Sequence, residues 1–135
     1  MADYTDLKDA RAIALDRDGL LEASAGTGKT YTLTRLAVRL LLHYEIDIEK
    51  LLIVTYTEKA AGEMKERLRE LLEEATRSGI FLDEPLSPAA VAHLRRQALH
   101  YDRAPVQTIH GFCLATLRRY AFENGFHFTP EQGDD

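Results

Sequence analysis

The stretch Ala23-Ser24-Ala25-Gly26-Thr27-Gly28-Lys29-Thr30 is where this chain is best equipped for chemistry. A run of small residues lets the backbone curl until consecutive N–H groups face one anion. Gly-Lys-Thr then opens a helix, whose first N–H groups are unpaired and whose dipole is positive at that end. Lys29 has the reach for the β- and γ-phosphates of a nucleoside triphosphate, and the Thr30 hydroxyl suits a Mg²⁺ ion. Ala23, Ser24, Ala25, Gly26, Thr27, Gly28, Lys29 and Thr30 are therefore the expected phosphate-binding residues, with Lys29 and Thr30 carrying the chemistry. The usual pattern is G-x-x-x-x-G-K-[ST], and here Ala23 stands at the first glycine position.

Thr55-Tyr56-Thr57-Glu58-Lys59-Ala60-Ala61 and Thr108-Ile109-His110-Gly111-Phe112-Cys113 form a second and a third constellation. Thr57 and Lys59 have the chemistry to meet phosphates, and Tyr56 to stack on a base. Thr57 as a helix cap and Lys59 as a solvated charge is the plainer reading, and spacing alone favours it. His110 before a helix is more often a capping or core residue than a catalyst. Arg118-Arg119 reads first as a solvated helix face.

The elements that must position these residues follow from periodicity. Leu20 to Ala23 reads as a first strand and Thr30 to His43 as a helix, with Leu33, Leu36, Ala37, Leu40 and Leu41 inward and Arg35 and Arg39 on the other side. Leu51 to Tyr56 is a near-continuous apolar run, as in a parallel strand covered on both faces. A second helix starts near Glu58, with Ala61, Met64, Leu68, Leu71, Leu72 and Ala75 as its stripe and Gly79 as its C-cap. Gly79 to Pro88 is a turn-rich connection. Ser87-Pro88 reads as an N-cap and a first-turn proline of a helix running to about His100. A short strand at Val106 to Thr108 and a helix from about Gly111 to Glu123 complete the chain, and Asp6 to Leu15 forms a short helix with Ile13 and Leu15 inward. The order predicts an α/β domain with a mostly parallel sheet flanked by helices.

The chain has 135 residues and a net charge of -5, the size of one domain with a real core. The acidic balance gives no general support to nucleic-acid binding, so any such contact must come from local residues. The single cysteine, Cys113, allows no internal disulfide and suits a reducing cytoplasm. No apolar run has the length of a membrane span.

Taken together, the three segments resemble, in order and rough spacing, motifs I, Ia and Ib of the UvrD/Rep group of superfamily 1 DNA helicases. Within that group the likeness runs to the N-terminal motor region of RecB-type subunits of exodeoxyribonuclease V. Glu22 to Thr30 resembles the RecB-type motif I, where alanine replaces the first glycine. Thr55 to Ala61 resembles the group's Thr-Phe-Thr motif, and Thr108 to Cys113, followed by Arg118-Arg119-Tyr120-Ala121-Phe122-Glu123, is similar to RecB around its motif Ib. The likeness runs from about Leu20 to Phe128.

The resemblance implies a partial RecA-like P-loop NTPase domain and hydrolysis of ATP with Mg²⁺, coupled to movement along single-stranded or unwinding duplex DNA. Tyr56, Thr57, Lys59, Thr108 and His110 would line the DNA track. Residues 1–128 would form part of motor domain 1A and residues 129–135 a polar tail. The rest of the motor, and RecC/RecD-like or AddB-like subunits, are the implied partners. The chain departs from the family in having no glutamine upstream of the loop, since Gln97, Gln107 and Gln132 all lie downstream. The acidic motif II is expected beyond Asp135, so the chain is expected to be an N-terminal piece of a larger enzyme. It should then bind nucleotide weakly, hydrolyse it very slowly if at all, and leave apolar faces uncovered, with marginal stability or self-association. Asp83-Glu84, after Ile80-Phe81-Leu82, imitates motif II at the wrong place in the order. A small P-loop kinase or ATPase that does not act on DNA, and a non-catalytic nucleotide-binding module, remain open alternatives.

Overall fold

In the computed structural model the described residues are 9–22, 28–121, 123 and 125. They form four α-helices, α1 (Lys29–Tyr44), α2 (Glu58–Ser78), α3 (Pro88–Leu99) and α4 (Ile109–Tyr120). Four short strands lie between them: β1 (Ile53–Thr55), β2 (Ile80–Phe81), β3 (Glu84–Pro85) and β4 (Val106–Thr108). β1 and β4 pair in parallel, with Ile53 opposite Val106, Val54 opposite Gln107 and Thr55 opposite Thr108. A parallel pair needs a long crossover, and here it consists of α2, the β2–β3 hairpin and α3.

Helix α2 follows directly from its sequence. Ala61, Met64, Leu68, Leu72 and Ala75 are buried, one face of a 3.6-residue repeat. The Thr57 hydroxyl oxygen accepts from the Ala60 N–H at one end. Gly79, at φ 69°, ends the helix in the left-handed conformation and donates its N–H to the Ala75 carbonyl. The caps expected at Ser87-Pro88 are also present, with the Ser87 hydroxyl accepting from Ala90 and Pro88 in the first turn. The core lies where α1, α2 and α3 meet, around Val38, Leu41, Ile48, Leu68, Leu72 and Leu94.

Four expectations are corrected. The buried face of α1 is Thr34, Ala37, Val38 and Leu41, turned from the expected stripe. Leu33 is exposed, and Leu36 and Leu40 are half-buried. Thr34 can replace an apolar residue there because its hydroxyl donates to the Thr30 carbonyl at 2.9 Å. Arg39, expected on the side away from the core, is half-buried: its Nη1 donates to the carbonyls of Ala10 and Ile13, each at 2.7 Å. Leu20 to Glu22 make no strand, and Leu20 is 85% exposed. A strand exists through its ladder bonds, and β1 and β4 pair with each other and not with this segment. The expected helix at Asp6 to Leu15 is a single 3-10 turn over Ala10–Ala12, with residues 6–8 outside the described residues.

The N-terminal segment is nonetheless tied down. Besides the Arg39 bonds, the Tyr44 hydroxyl donates to the Leu15 carbonyl at 3.1 Å, and Arg11 Nη1 to the Leu82 carbonyl at 3.3 Å. The side-chain hydrogen bond from Arg11 holds the Asp9 carboxyl below its ordinary range, and Arg69 does the same for Glu66 on α2. With folded pKa values depressed, both pairs support the fold above the ordinary carboxylate range and lose that effect as pH falls through the lowered values. Their exposure keeps the contribution small.

The connection read as turn-rich contains the β2–β3 hairpin, whose two-residue turn has Leu82 at φ 49° and Asp83 at φ 62°. Positive φ at both positions marks a type I′ turn, which usually takes Asn-Gly. Asp83→Gly relieves left-handed strain without loss of packing and should stabilise the chain by about 0.5–1 kcal/mol in urea unfolding. The buried Gln97 side chain accepts from the Ile48 N–H at 2.7 Å and donates to Asp47 at 3.3 Å. Gln97→Leu would strand that buried N–H and should cost about 1–3 kcal/mol in the same measurement.

Candidate nucleotide and nucleic-acid site

Lys29 and Thr30 are the first two residues of α1. Gly28 precedes them at φ 89°, a conformation that strains any side chain, and a Cβ built there meets nothing within 4 Å. The chain thus makes a glycine turn directly into a helix start, the geometry a phosphate cradle requires. Lys29 is exposed and makes no ion pair among the described residues, and Thr30 is half-buried. Ala23, Ser24, Ala25, Gly26 and Thr27 lie outside the described residues. Beside Lys29 opens an apolar hollow of about 480 Å³, whose walls include Ile13, Leu15, Leu21, Leu33 and Leu36. The Arg39 and Tyr44 bonds to Ala10, Ile13 and Leu15 hold one wall of it against α1.

The second and third constellations meet at the carboxyl ends of β1 and β4. Thr55 and Thr108 are register partners, and each strand runs almost at once into a helix. Tyr56 is 89% exposed. Thr57 is exposed and caps α2 with its hydroxyl oxygen. Lys59 is exposed and lies 4.0 Å from Glu63, a loose pair. His110 is exposed in the first turn of α4. Thr108 is placed differently. It is 6% exposed, its hydroxyl oxygen accepts from the Gly111 N–H at 3.0 Å, and its hydroxyl donates to Glu58 Oε1 at 3.2 Å. Its side chain is committed within the protein.

Two residues at this edge escape a reading of the sequence. Glu58 looks like any first-turn acid, and nothing in the linear chain shows that it reaches a threonine 50 residues on. Gly111 has a signal in hindsight, since a Cβ there would lie 3.2 Å from the Thr108 hydroxyl oxygen and crowd the cap. Asp83 and Glu84 sit exposed at the hairpin, and among the described residues no three His, Cys, Asp or Glu side chains gather to hold a metal ion. No helix among them is long and apolar enough to cross a membrane.

Parallel strands whose carboxyl ends feed capped helices, with a Gly-Lys-Thr helix start, define a partial RecA-like α/β domain. The family described as UvrD/REP helicase N-terminal domain matches residues 5–132, and the chain belongs to that family. It is 36% identical to the RecBCD enzyme subunit RecB of Haemophilus influenzae, over 88% of this chain and 12% of that protein. It is 37% identical to an ATP-dependent helicase/nuclease subunit of Bacillus anthracis, over 88% of this chain and 9% of that protein. The corresponding helicase/nuclease subunit of Bacillus cereus strain AH187 gives the same identity and coverage. The chain therefore spans about a tenth of the length of these relatives.

The double use of the Thr108 hydroxyl is open to test. Thr108→Val removes both the α4 cap and the bridge to Glu58 and should cost about 0.5–2 kcal/mol. Amide exchange should rise at Ile109 to Gly111 more than in α2 or α3.

Proposed function

We propose that this chain is the ATP-binding and single-stranded-DNA-contacting N-terminal part of an ATP-dependent DNA helicase and exonuclease of DNA repair and recombination. The turn from Gly28 into Lys29 and Thr30 carries the reading, because it presents a cation, a hydroxyl and a helix start to one point. Gly26, Thr27 and Gly28, with Ala23, Ser24 and Ala25, would wrap the phosphates. Lys29 would neutralise the β- and γ-phosphates, and Thr30 would hold Mg²⁺. The bound ion would neutralise charge developing on the transferred phosphoryl group. Tyr56, Thr57, Lys59, Thr108 and His110 would form the DNA edge, Tyr56 by stacking and Lys59 by charge, with Thr108 acting through the position of α4.

Residues 1–128 would form part of motor domain 1A and residues 129–135 a polar tail. Movement along DNA needs a second motor domain that closes on the first with each ATP cycle, so the rest of the motor is a partner in this reading. RecC/RecD-like or AddB-like subunits are further partners, and the bacterial cytoplasm is the setting. Binding of Mg²⁺-ATP should raise the stability of the chain by about 2.7 kcal/mol at a hundredfold excess over the dissociation constant, read as a rise in melting temperature. Lys29→Ala should abolish that rise without lowering the melting temperature of the free chain. An unshifted melt at saturating Mg²⁺-ATP would overturn the nucleotide reading.

A further inference from the structure

Glu58 lies between the residues proposed to meet DNA, with Thr57 before it and Lys59 after it. It is exposed, yet its carboxylate is not left to swing in solvent, because Oε1 accepts the buried Thr108 hydroxyl at 3.2 Å. That bond holds a negative charge where the start of α2 meets the start of α4, beside Tyr56 and His110 in the chain order of the two motifs. A neutral acceptor would satisfy Thr108 equally well. A fixed carboxylate adds repulsion toward any phosphate placed on the same edge.

We infer that Glu58 sets the strength of strand binding at this edge: its carboxylate, pinned by Thr108, weakens the grip on phosphates and keeps the contact loose enough for a strand to pass along it. The inference rests on the DNA reading given above. Glu58 acts here through its own charge and touches no reacting atom.

Two substitutions separate charge from bridge. Glu58→Gln keeps an acceptor for Thr108 and removes the charge. Glu58→Asp keeps the charge and, one methylene shorter, draws back from Thr108. The binding of a fluorescein-labelled oligothymidine to the 135-residue chain is followed by anisotropy at low and at moderate salt. E58Q should bind about fourfold more tightly than the parent chain at low salt, the size of one unscreened charge at about 5 Å in water. The gain should shrink as salt is added, because screening removes a Coulombic effect and leaves a packing effect untouched. E58D, which keeps the charge but frees it from Thr108, should gain less than E58Q and more than the parent chain. If E58Q matches the parent, or if E58D gains as much as E58Q, the inference is overturned and the DNA reading stands. If none of the three chains binds the oligonucleotide, both fall together.

Discussion

The three-residue parallel ladder between β1 and β4 is the constraint on which the rest of the structure depends. It places Thr55 beside Thr108, and so brings together two helix starts that the sequence keeps about fifty residues apart. A ladder so short has few hydrogen bonds of its own, and parallel pairing is the less stable kind per residue. Its register must be held from outside. The crossover does this: α2 packs against the ladder and against α1 and α3, and the apolar face from Ala61 to Ala75 joins sheet to helices.

The crossover is in turn fixed by buried polar side chains. Gln97 on α3 holds the turn at Ile48 that leads into β1, and His93 on the same helix meets the Leu41 carbonyl of α1 at 3.1 Å. Each bond adds little net energy when made and costs more when half broken. Their effect is therefore on register more than on depth of stability. An apolar pair would let α3 slide along α1, whereas a directed bond to one carbonyl or one N–H does not. Lys65 and Arg103 add outer clasps, to the Asp102 carbonyl and to Glu49. The Gln97, Lys65 and Arg103 bonds act on the segments that lead into β1 and β4, so the ladder is anchored at its amino end, while no residue of α4 is buried beyond its carboxyl end.

Helix positions and caps were largely legible in the sequence. Ala61 to Ala75, Gly79, Ser87-Pro88 and Thr57 each carry a local signal with a local cause, and periodicity and capping act within a few residues. What escaped was long-range. Arg39 looks solvated until the Ala10 and Ile13 carbonyls are folded against it. Thr34 looks polar until its hydroxyl turns back on its own helix. The β2–β3 hairpin hid because Leu82-Asp83 is a poor type I′ turn by composition, held by packing of Leu82 on the core and by Arg11 on its carbonyl. The glycine turn before Lys29 could be read from residue types, because its geometry is set by Gly28 itself. The edge at Thr57 and Thr108 could be placed only as far as its two motifs, since the bond that joins them has no sequence signature.

That bond also changes which groups at the edge are left for a ligand. The Thr57 and Thr108 hydroxyl oxygens already accept from Ala60 and Gly111, and the Thr108 proton is given to Glu58. What remains on the proposed strand-binding edge is the exposed Tyr56 ring, the Lys59 ammonium, the His110 ring and the Thr57 hydroxyl as a donor. One aromatic face and one firm cation suit a strand by stacking and charge, without base readout. With so few phosphates neutralised, the salt dependence at this edge would be shallow per site. The net charge of -5 then works in the same direction, since the rest of the surface offers a polyanion little reason to bind elsewhere. Weak attraction confined to one edge is the condition under which a strand could be held and still advance, and in the proposed reading the Thr108 cap, with both of its hydrogen bonds made inside the protein, contributes to it.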